Sequence, residues 1–520
     1  MDKWLTYSPV SGHGNATITL SASTLTGLQD RIATLIATGS QEGQTLSATT
    51  VVTQKLIPSE KYLTFNISSA GTINWKTSKS SIARTIEYKL NNGNWVSIGS
   101  TTTGVKINVI AGDIIQFRGN NTRYADNSSD YNSFNGSTAS FEAEGNIMSL
   151  INSTDFSALT TLESDYTFCR LFYNCSGLVS AENLILPATT LANICYESMF
   201  EGCTKLTTAP ELPAMTLAER CYYSMFSGCT SLTTATELPA NTLTKYCYTY
   251  MFTGCKKLTI PPELPATTLA DYCYDSMFSG CTSLTTAPAL PATALTFCCY
   301  NSMFQGCTSL TTAPKLPAIT LANRCYNSMF WNCTKLTTAP ELPATTLADY
   351  CYNGMFRGCT SLTTAPALPA TTLATRCYSN MFQGCTKLIT APALPATTLL
   401  IGCYSNMFEE CTRLTTAPAL PATTLTNNCY SSMFYGCTSL ITAPALPATT
   451  LATRCYNYMF GGCSKLNYIK CLATDISATD CTYSWVRGVA ATGTFIKNPN
   501  KTWTTGVNGI PEGWTVVNNS

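Results

Sequence analysis

Cysteine has the widest range of possible chemistry in this chain, and its spacing is regular. Twelve of the 27 cysteines recur every 26 residues from Cys195 to Cys481, and eleven recur at the same interval from Cys203 to Cys463. Thiols in register could form disulfides, bind a metal or pack as small apolar side chains. Structural zinc sites usually use a Cys-x₂₋₄-Cys spacing or histidine partners, and neither recurs here. The pattern therefore favours buried free thiols, with disulfides and a metal ladder as successively weaker alternatives.

Histidine and glutamate restrict catalytic chemistry further. The only histidine, His13, lies in a Gly-His-Gly sequence typical of a solvated turn, so no catalytic triad or multi-histidine site is expected. Four glutamates share one position of the repeat: Glu211, Glu237, Glu263 and Glu341. A column of like charges favours exposure over the two inward-facing acids that glycoside hydrolysis needs. We therefore expect no enzymatic activity, no cofactor and no metal.

The composition excludes further classes of function. The 520 residues include 30 Lys and Arg against 29 Asp and Glu, so the net charge is +1 and only 11% of residues are charged. This balance lacks the basic surface expected of a nucleic-acid binder or of a protein held on an anionic membrane. No stretch approaches about 18 consecutive apolar residues, so membrane insertion is not expected.

The 26-residue repeat determines the predicted architecture. One copy, residues 264–289, reads LPATTLADYCYDSMFSGCTSLTTAPA, and eleven full copies lie between degenerate copies near Phe172 and Trp485. Self-similarity of this length is typical of a solenoid, whose coils bury their apolar faces against one another. Leu-Thr-Thr-Ala predicts a short strand ended by proline. Cys-Tyr-x-x-Met-Phe-x-Gly-Cys predicts one or two helical turns that end at glycine.

The repeat also carries a family resemblance. Its unit Met-Phe-x-Gly-Cys-Thr-x-Leu-Thr resembles the leucine-rich repeat of the BspA type, whose usual core is Ala-Phe-x-x-Cys-x-x-Leu. The resemblance covers about residues 155–490 and departs from the family pattern in methionine for alanine, an additional earlier cysteine and an inserted Leu-Pro-Ala-Thr-Thr-Leu. It implies a bacterial surface protein that adheres to host or neighbouring cells, or a related phage protein.

Residues 1–55 have a period-two alternation of apolar and polar residues, which predicts short β-strands. Trp-Leu-x-x-x-Pro-x-x-Gly at residues 4–12 and the closing Val-Val-Thr-Gln at residues 51–54 resemble the C-terminal part of a BACON domain, with its first strands missing. The resemblance implies a Bacteroides-type bacterial or phage origin and a carbohydrate-binding module. An open sheet edge there would suit homo-oligomerisation or virion attachment.

The remaining segments complete the predicted domain organisation. Asn-Asn-Gly-Asn at residues 91–94 lies between two strand patterns and predicts a hairpin, so residues 56–146 are expected to form a small β-sandwich. Residues 147–490 form the leucine-rich-repeat solenoid, and residues 491–520 form a C-terminal cap. The predicted fold class is mixed β/α, with N-terminal β-sandwich modules followed by a solenoid of 26-residue repeats.

Candidate binding residues are the variable positions of the repeat, because the constant positions build the core. The position before the first cysteine is Tyr or Arg in seven of eleven copies, and the position after phenylalanine holds three further large side chains. These residue types are enriched in binding hot spots. The candidates are Arg220, Tyr246, Tyr272, Arg324, Tyr350, Arg376, Arg454, Trp331, Arg357 and Tyr435. Columns of Tyr and Arg suit a glycan or a protein surface, although solvated side chains that only shield the coil are an equal alternative.

Together these observations predict a non-enzymatic, extracellular recognition or adhesion protein that binds a glycan or a cell-surface protein through the solenoid. A phage tail-fibre or virion-surface protein is the favoured setting. The first alternative is a secreted bacterial cell-surface adhesin, for which a leader would be expected. The second alternative is a purely structural spacer whose repeats only set length.

Overall fold

The computed structural model describes the backbone of residues 5–8, 19–22, 31–41, 44–54 and 60–519 and the side chains of residues 60–519. At the N-terminus, β1 (Leu5–Ser8) pairs antiparallel with β2 (Thr19–Ala22), and β3 (Arg31–Gln41) pairs antiparallel with β4 (Gln44–Gln54). The predicted β-structure is therefore confirmed for these four segments, which form two separate two-stranded sheets. His13 lies outside the described residues.

Two facing sheets follow. Their strands are β5 (Leu63–Ile67), β6 (Gly71–Thr77), β7 (Thr85–Leu90), β8 (Val96–Gly99), β9 (Val105–Val109), β10 (Ile114–Arg118), β11 (Asn132–Ser133) and β12 (Phe141–Asn146). The predicted hairpin is the turn between β7 and β8, where Asn91 has the left-handed φ of 51° that such tight turns require. Buried aromatic rings, among them Phe65, Trp75 and Phe134, fill the space between the sheets.

The sandwich is continuous with the repeats. A strand of the first degenerate copy, β13 (Leu178–Ile185), pairs in parallel with β12 and extends the larger sheet to the order β13-β12-β5-β10-β7-β8. Phe172 lies 5.5 Å from Phe134 in the sandwich and 5.3 Å from Phe200 in the first full copy, measured between ring centroids. The apolar core therefore passes from one region into the other without a polar layer.

At the far end, three short parallel strands close the structure: β14 (Tyr468–Cys471), β15 (Thr494–Lys497) and β16 (Thr515–Asn518). Trp485 lies 26 residues after Met459, at the position of the repeat's methionine, and its ring packs on Trp503 at 5.7 Å. These large rings cover the last layer of the stack, as a terminal cap must.

The helical turns predicted for the repeat are wrong. In the segment Tyr272–Gly280, every fourth residue has a left-handed φ, namely 58° at Tyr272, 53° at Ser276 and 73° at Gly280. Left-handed residues cannot continue a right-handed helix, so the chain makes consecutive tight turns instead. The only helices among the described residues are two short 3₁₀ segments at Ser80–Ile82 and Ile147–Leu150. The fold is accordingly built from strands and turns, and the mixed β/α class is corrected.

The turn segment, defined as residues 272–280 and their equivalents in other copies, is also where successive copies join. The backbone N–H groups of Tyr274, Ser276 and Phe278 donate to carbonyl oxygens of the next copy at 3.0, 2.8 and 3.0 Å. The same ladder recurs along the stack, for example from Tyr326 to Cys351 at 3.0 Å. Equivalent residues of neighbouring copies are thereby fixed one above the other.

Register of this kind produces columns of identical side chains in the interior. From Phe172 to Phe460 the phenylalanine rings follow one another at centroid distances of 5.3 to 5.8 Å. From Tyr196 to Tyr456 the rings are spaced 5.7 to 6.2 Å apart. All of these rings are buried, together with the methionines of the repeat and most of its leucines.

The cysteines are free thiols, and all 27 are buried, as the repeat pattern predicted. In the second series each S–H from Cys229 onward donates to the backbone carbonyl of the phenylalanine 29 residues earlier, as Cys281 does to Phe252 at 3.0 Å. That carbonyl also accepts the N–H of Cys255 at 3.1 Å within its own copy. The thiol therefore adds a hydrogen bond between copies where a methyl group could not. Burial raises the pKa of the Cys281 thiol to about 12, which suppresses thiolate chemistry.

Candidate binding face

The outward side of the turn segment is organised by the same left-handed residues. Buried pairs such as Cys273-Tyr274 and Met277-Phe278 alternate with residues that reach the surface. We call this surface the turn face, and we name its columns by their positions in residues 264–289. The first column contains Tyr272 and its equivalents, the two middle columns contain Asp275 and Ser276, and the last column contains Ser279.

Exposure differs between these columns. Tyr272 and Ser279 are partly exposed, whereas Asp275 and Ser276 are 6% and 8% exposed. Arg357 in the last column is exposed, whereas Asn353, in a middle column of the same copy, is only partly exposed. The middle columns are thus the less accessible floor of the turn face, and the first and last columns flank it.

The structure places seven predicted residues in the first column, all with left-handed φ between 51° and 58°. They are Arg220, Tyr246, Tyr272, Arg324, Tyr350, Arg376 and Arg454. The rings of Tyr246 and Tyr272 stack at 4.6 Å with an angle of 17° between their planes. The guanidinium of Arg324 lies over the ring of Tyr350 at 4.8 Å. These side chains therefore hold one another in place along the stack.

Two arginines of this column are partnered by acids. Arg220 Nε donates to Glu197 Oε2 at 3.0 Å, and the Glu197 side chain is only 2% exposed. Arg454 Nε donates to Asp480 Oδ2 at 3.2 Å, where both side chains are more exposed. The Arg220 pair is partly desolvated and therefore geometrically fixed, whereas the Arg454 pair remains open to solvent.

The column also contains an unusual cysteine. Cys298 occupies the position between Tyr272 and Arg324 and is 4% exposed. Burial raises the pKa of its thiol to about 11. Its role in the structure is that of a small side chain between two larger ones, and Tyr272 packs edge-to-face against the adjacent Phe297 at 5.1 Å.

The three remaining predicted residues lie in the last column. Arg357 lies over the ring of Trp331 at 5.0 Å, so these two predicted residues are brought together. Tyr435, 39% exposed, lies farther along the same column and is not part of that pair. The predicted set is therefore one surface, but it comprises several separate contacts.

The middle columns contain residues that the sequence reasoning did not single out. Side-chain amides form a hydrogen-bonded ladder that begins at a carboxylate: Asn301 Nδ2 donates to Asp275 Oδ1 at 2.8 Å, and Asn327 Nδ2 donates to Asn301 Oδ1 at 2.7 Å. Asn353 and Asn380 continue it at 2.7 and 3.1 Å. Burial raises the pKa of Asp275, and the hydrogen bonds from Asn301 and Ser276 oppose that rise. The ladder satisfies polar groups on the floor of the face.

Aromatic side chains occupy the middle columns at both ends of the stack. Tyr223 and Tyr250 meet edge-to-face at 5.5 Å near the N-terminal end, and Tyr458 and Tyr483 do so at 5.4 Å near the C-terminal end. The sequence contains a signal for these tyrosines. The two residues between Tyr and Met vary from copy to copy, as the residues of the first column do.

No group of three or more His, Cys, Asp or Glu side chains within residues 60–519 is arranged to hold a metal ion. The described part of the chain also contains no helix long and apolar enough to cross a membrane. The turn face offers hydroxyl, amide, carboxylate, guanidinium and aromatic groups on a backbone held by hydrogen bonds between copies.

Comparison with known protein families identifies the repeats. The family model for the BspA type leucine-rich repeat region, with six copies, matches residues 169–311, 274–415 and 375–478, which together span more than half of the chain. Neither the curated proteins nor the solved structures include a match. Proteins with these repeats are typically surface-associated, which suggests an adhesion-type role in protein interaction, while the BACON resemblance stays a prediction. The chain belongs to the BspA-type leucine-rich repeat family.

Proposed function

We propose that this chain is a non-enzymatic recognition or adhesion protein that binds a cell-surface protein through the turn face. The observation that carries the proposal is the first column from Arg220 to Arg376, in which guanidinium and aromatic groups occupy six of seven consecutive copies and Cys298 occupies the seventh. Tyr and Arg supply a large share of binding energy at protein interfaces. Here they recur at the spacing of the copies along one surface.

The contacts within the column favour a protein over a sugar as its partner. A sugar ring stacks on an exposed aromatic face, but Tyr246 and Tyr272 cover one another and Arg324 covers Tyr350. What remains accessible is ring edges, hydroxyl groups and guanidinium N–H donors. These groups suit the carbonyl oxygens, carboxylates and side-chain edges of a protein surface.

The backbone beneath the column supports tight binding. Tyr350 N donates to Thr375 O at 2.9 Å, and Arg324 N donates to Asp349 O at 2.9 Å, so both left-handed residues are anchored to the next copy. Side chains that are already held by their neighbours lose little conformational freedom when a partner binds. The turn face is thus preorganised over several copies.

The proposed setting is the outside of a virion, as a phage tail-fibre or surface protein, or the outside of a bacterial cell. In either setting β1–β4 are the proposed element for attachment or homo-oligomerisation. Their two sheets have two strands each, and two-stranded sheets leave open edges to which another chain can add.

The test is binding of the fluorescently labelled full chain to intact gut-bacterial and epithelial cells, before and after protease treatment of the cells. We expect protease-sensitive binding that falls about tenfold or more in the double variant Arg324→Ala/Tyr350→Ala. The matched control is Lys315→Ala/Glu341→Ala, two exposed residues of the same part of the stack outside the turn face. Equal binding by all three proteins, or no binding to any cell, would contradict the proposal and favour a spacer.

A further inference from the structure

Three tyrosines at the C-terminal end of the turn face form a cluster unlike the rest of that face. Tyr435, Tyr458 and Tyr483 lie in successive copies, and Tyr435 and Tyr483 are 39% and 45% exposed. The rings of Tyr435 and Tyr458 are 6.2 Å apart at 83°, and those of Tyr458 and Tyr483 are 5.4 Å apart at 82°. Successive rings are therefore perpendicular, so each contact covers at most one face of a ring and leaves its opposite face free of that neighbour.

Two other aromatic rings of the face each carry a guanidinium group. Arg220 lies over Tyr223 at 4.3 Å, and Arg357 lies over Trp331 at 5.0 Å. Within residues 60–519, no Lys or Arg lies over any ring of the C-terminal cluster, and no ring stacks on one in parallel. The cluster therefore offers aromatic surface that is available to a ligand, and two of its three rings are exposed.

A glycine makes room for this arrangement. A Cβ atom on Gly461 would lie 2.9 Å from Cδ2 and 3.0 Å from Cε2 of Tyr435, so any side chain there would displace the ring. Gly461 does not have the left-handed φ that explains the glycine at position 462. Glycine is therefore needed at position 461 because a larger residue would collide with the Tyr435 ring, and not because the backbone requires a left-handed φ.

Polar groups border the cluster on the same copies. The ion pair of Arg454 and Asp480 lies in the adjacent first column, with side chains 56% and 38% exposed. The neighbouring Tyr483 hydroxyl group raises the pKa of Tyr458. A guanidinium and a carboxylate together offer donors and acceptors to neighbouring hydroxyl groups of a ligand.

We propose that Tyr435, Tyr458 and Tyr483 form a binding site for a pyranose ring of a surface glycan. The apolar C–H face of the sugar packs on a tyrosine ring, and its hydroxyl groups bond to Arg454, Asp480 and the phenol groups. This inference extends the proposed function to a second ligand class and rests on it only in taking the turn face as the contact surface.

The experiment is a glycan microarray probed with the labelled full chain, followed by fluorescence titration with a soluble form of each glycan bound. We expect Tyr435→Ala and Tyr483→Ala each to weaken glycan binding about tenfold, because each removes a stacking surface. Tyr483→Phe should retain most of the affinity, since it keeps the ring and loses only the hydroxyl group. Gly461→Ala should weaken binding in the same direction although it removes no aromatic group.

Two controls separate this inference from the proposed function. Arg324→Ala/Tyr350→Ala should leave glycan binding unchanged while it reduces the protease-sensitive binding to cells. Far-ultraviolet circular dichroism of each variant establishes that the fold is retained. The inference is overturned if the chain binds no glycan, if binding survives both Tyr435→Ala and Tyr483→Ala in folded protein, or if the cluster affects only protease-sensitive binding.

Discussion

The interior of the repeat stack and the turn face are built from the same nine residues of each copy, but they differ in burial and in how much the residue type varies between copies. Tyr274, Met277 and Phe278 are fully buried and recur in copy after copy, whereas the neighbouring surface positions change from Tyr to Arg, Cys or Asn. Left-handed residues at every fourth position direct these two sets to opposite sides. Surface residues can therefore vary between copies while the interior stays regular, because backbone hydrogen bonds between copies position both sets of residues.

The comparison is most strongly tested by removing an interior ring. Phe278 stacks at 5.7 Å on Phe252 and on Phe304, so Phe278→Ala should leave a cavity in a continuous column and cost about 3–5 kcal/mol. The adjacent surface variant Ser279→Ala should change stability by less than about 0.5 kcal/mol. Urea unfolding followed by circular dichroism measures both, and similar costs would show that the division into interior and surface is wrong.

A smaller effect is expected from the thiols. Cys281→Ala removes the S–H donated to Phe252 O and leaves a small cavity, which should cost about 1–2 kcal/mol in urea unfolding. Cys281→Ser retains a donor at the same position and separates the hydrogen bond from the apolar contacts of sulfur. If Cys281→Ala is as stable as the parent protein, the thiol ladder does not contribute to cohesion between copies.

The amide ladder should matter less, because it is only partly buried. Asn327→Ala removes the partner of both Asn301 and Asn353, and we expect a cost of about 1 kcal/mol in urea unfolding. Asn457→Ala, in the same column as Asn327 but outside the ladder, is the matched control. An equal effect of the two substitutions would mean that the ladder adds nothing beyond a surface amide.

The smallest expected effect is a pH dependence at the start of that ladder. Burial raises the pKa of Asp275 in the folded state, so the stability this group contributes is present at low pH and is lost as the pH rises through the raised pKa. Asp275→Asn should therefore gain stability relative to the parent protein between pH 3 and pH 7. Thermal unfolding at both pH values measures this, and a relative loss across that interval would contradict the assignment.

Some of this organisation could be predicted from the sequence and some could not. The period of the cysteines predicted their burial, and Asn-Asn-Gly-Asn predicted the hairpin between β7 and β8, because each signal depends on local residue types. The helical turns were wrong because residues four apart share one side both in a helix and in consecutive left-handed turns. Gly280 indicated one such turn, but Tyr272 and Ser276 gave no sign of a positive φ.

The candidate site was predicted only in part for a related reason. The first and last columns were recognised from their Tyr, Arg and Trp residues, whereas Asn301 and Asn327 are individually unremarkable and form a ladder only when copies are in register. A ring face can be covered by a parallel ring, as for Tyr246, or can lack such a ring, as for Tyr435. The outcome depends on how the side chain is oriented relative to its neighbour in the next copy. Residue type alone does not determine that orientation.

The most direct measurement of the central claim is native thiol labelling with an aromatic disulfide reagent at neutral pH. We predict that none of the 27 thiols of the folded protein reacts during the time in which the single added thiol of Arg357→Cys, on the turn face, reacts completely. In denaturant all 27 should react. Rapid labelling of the folded parent protein, or protection of the thiol at position 357, would contradict a closed interior beneath an open recognition surface.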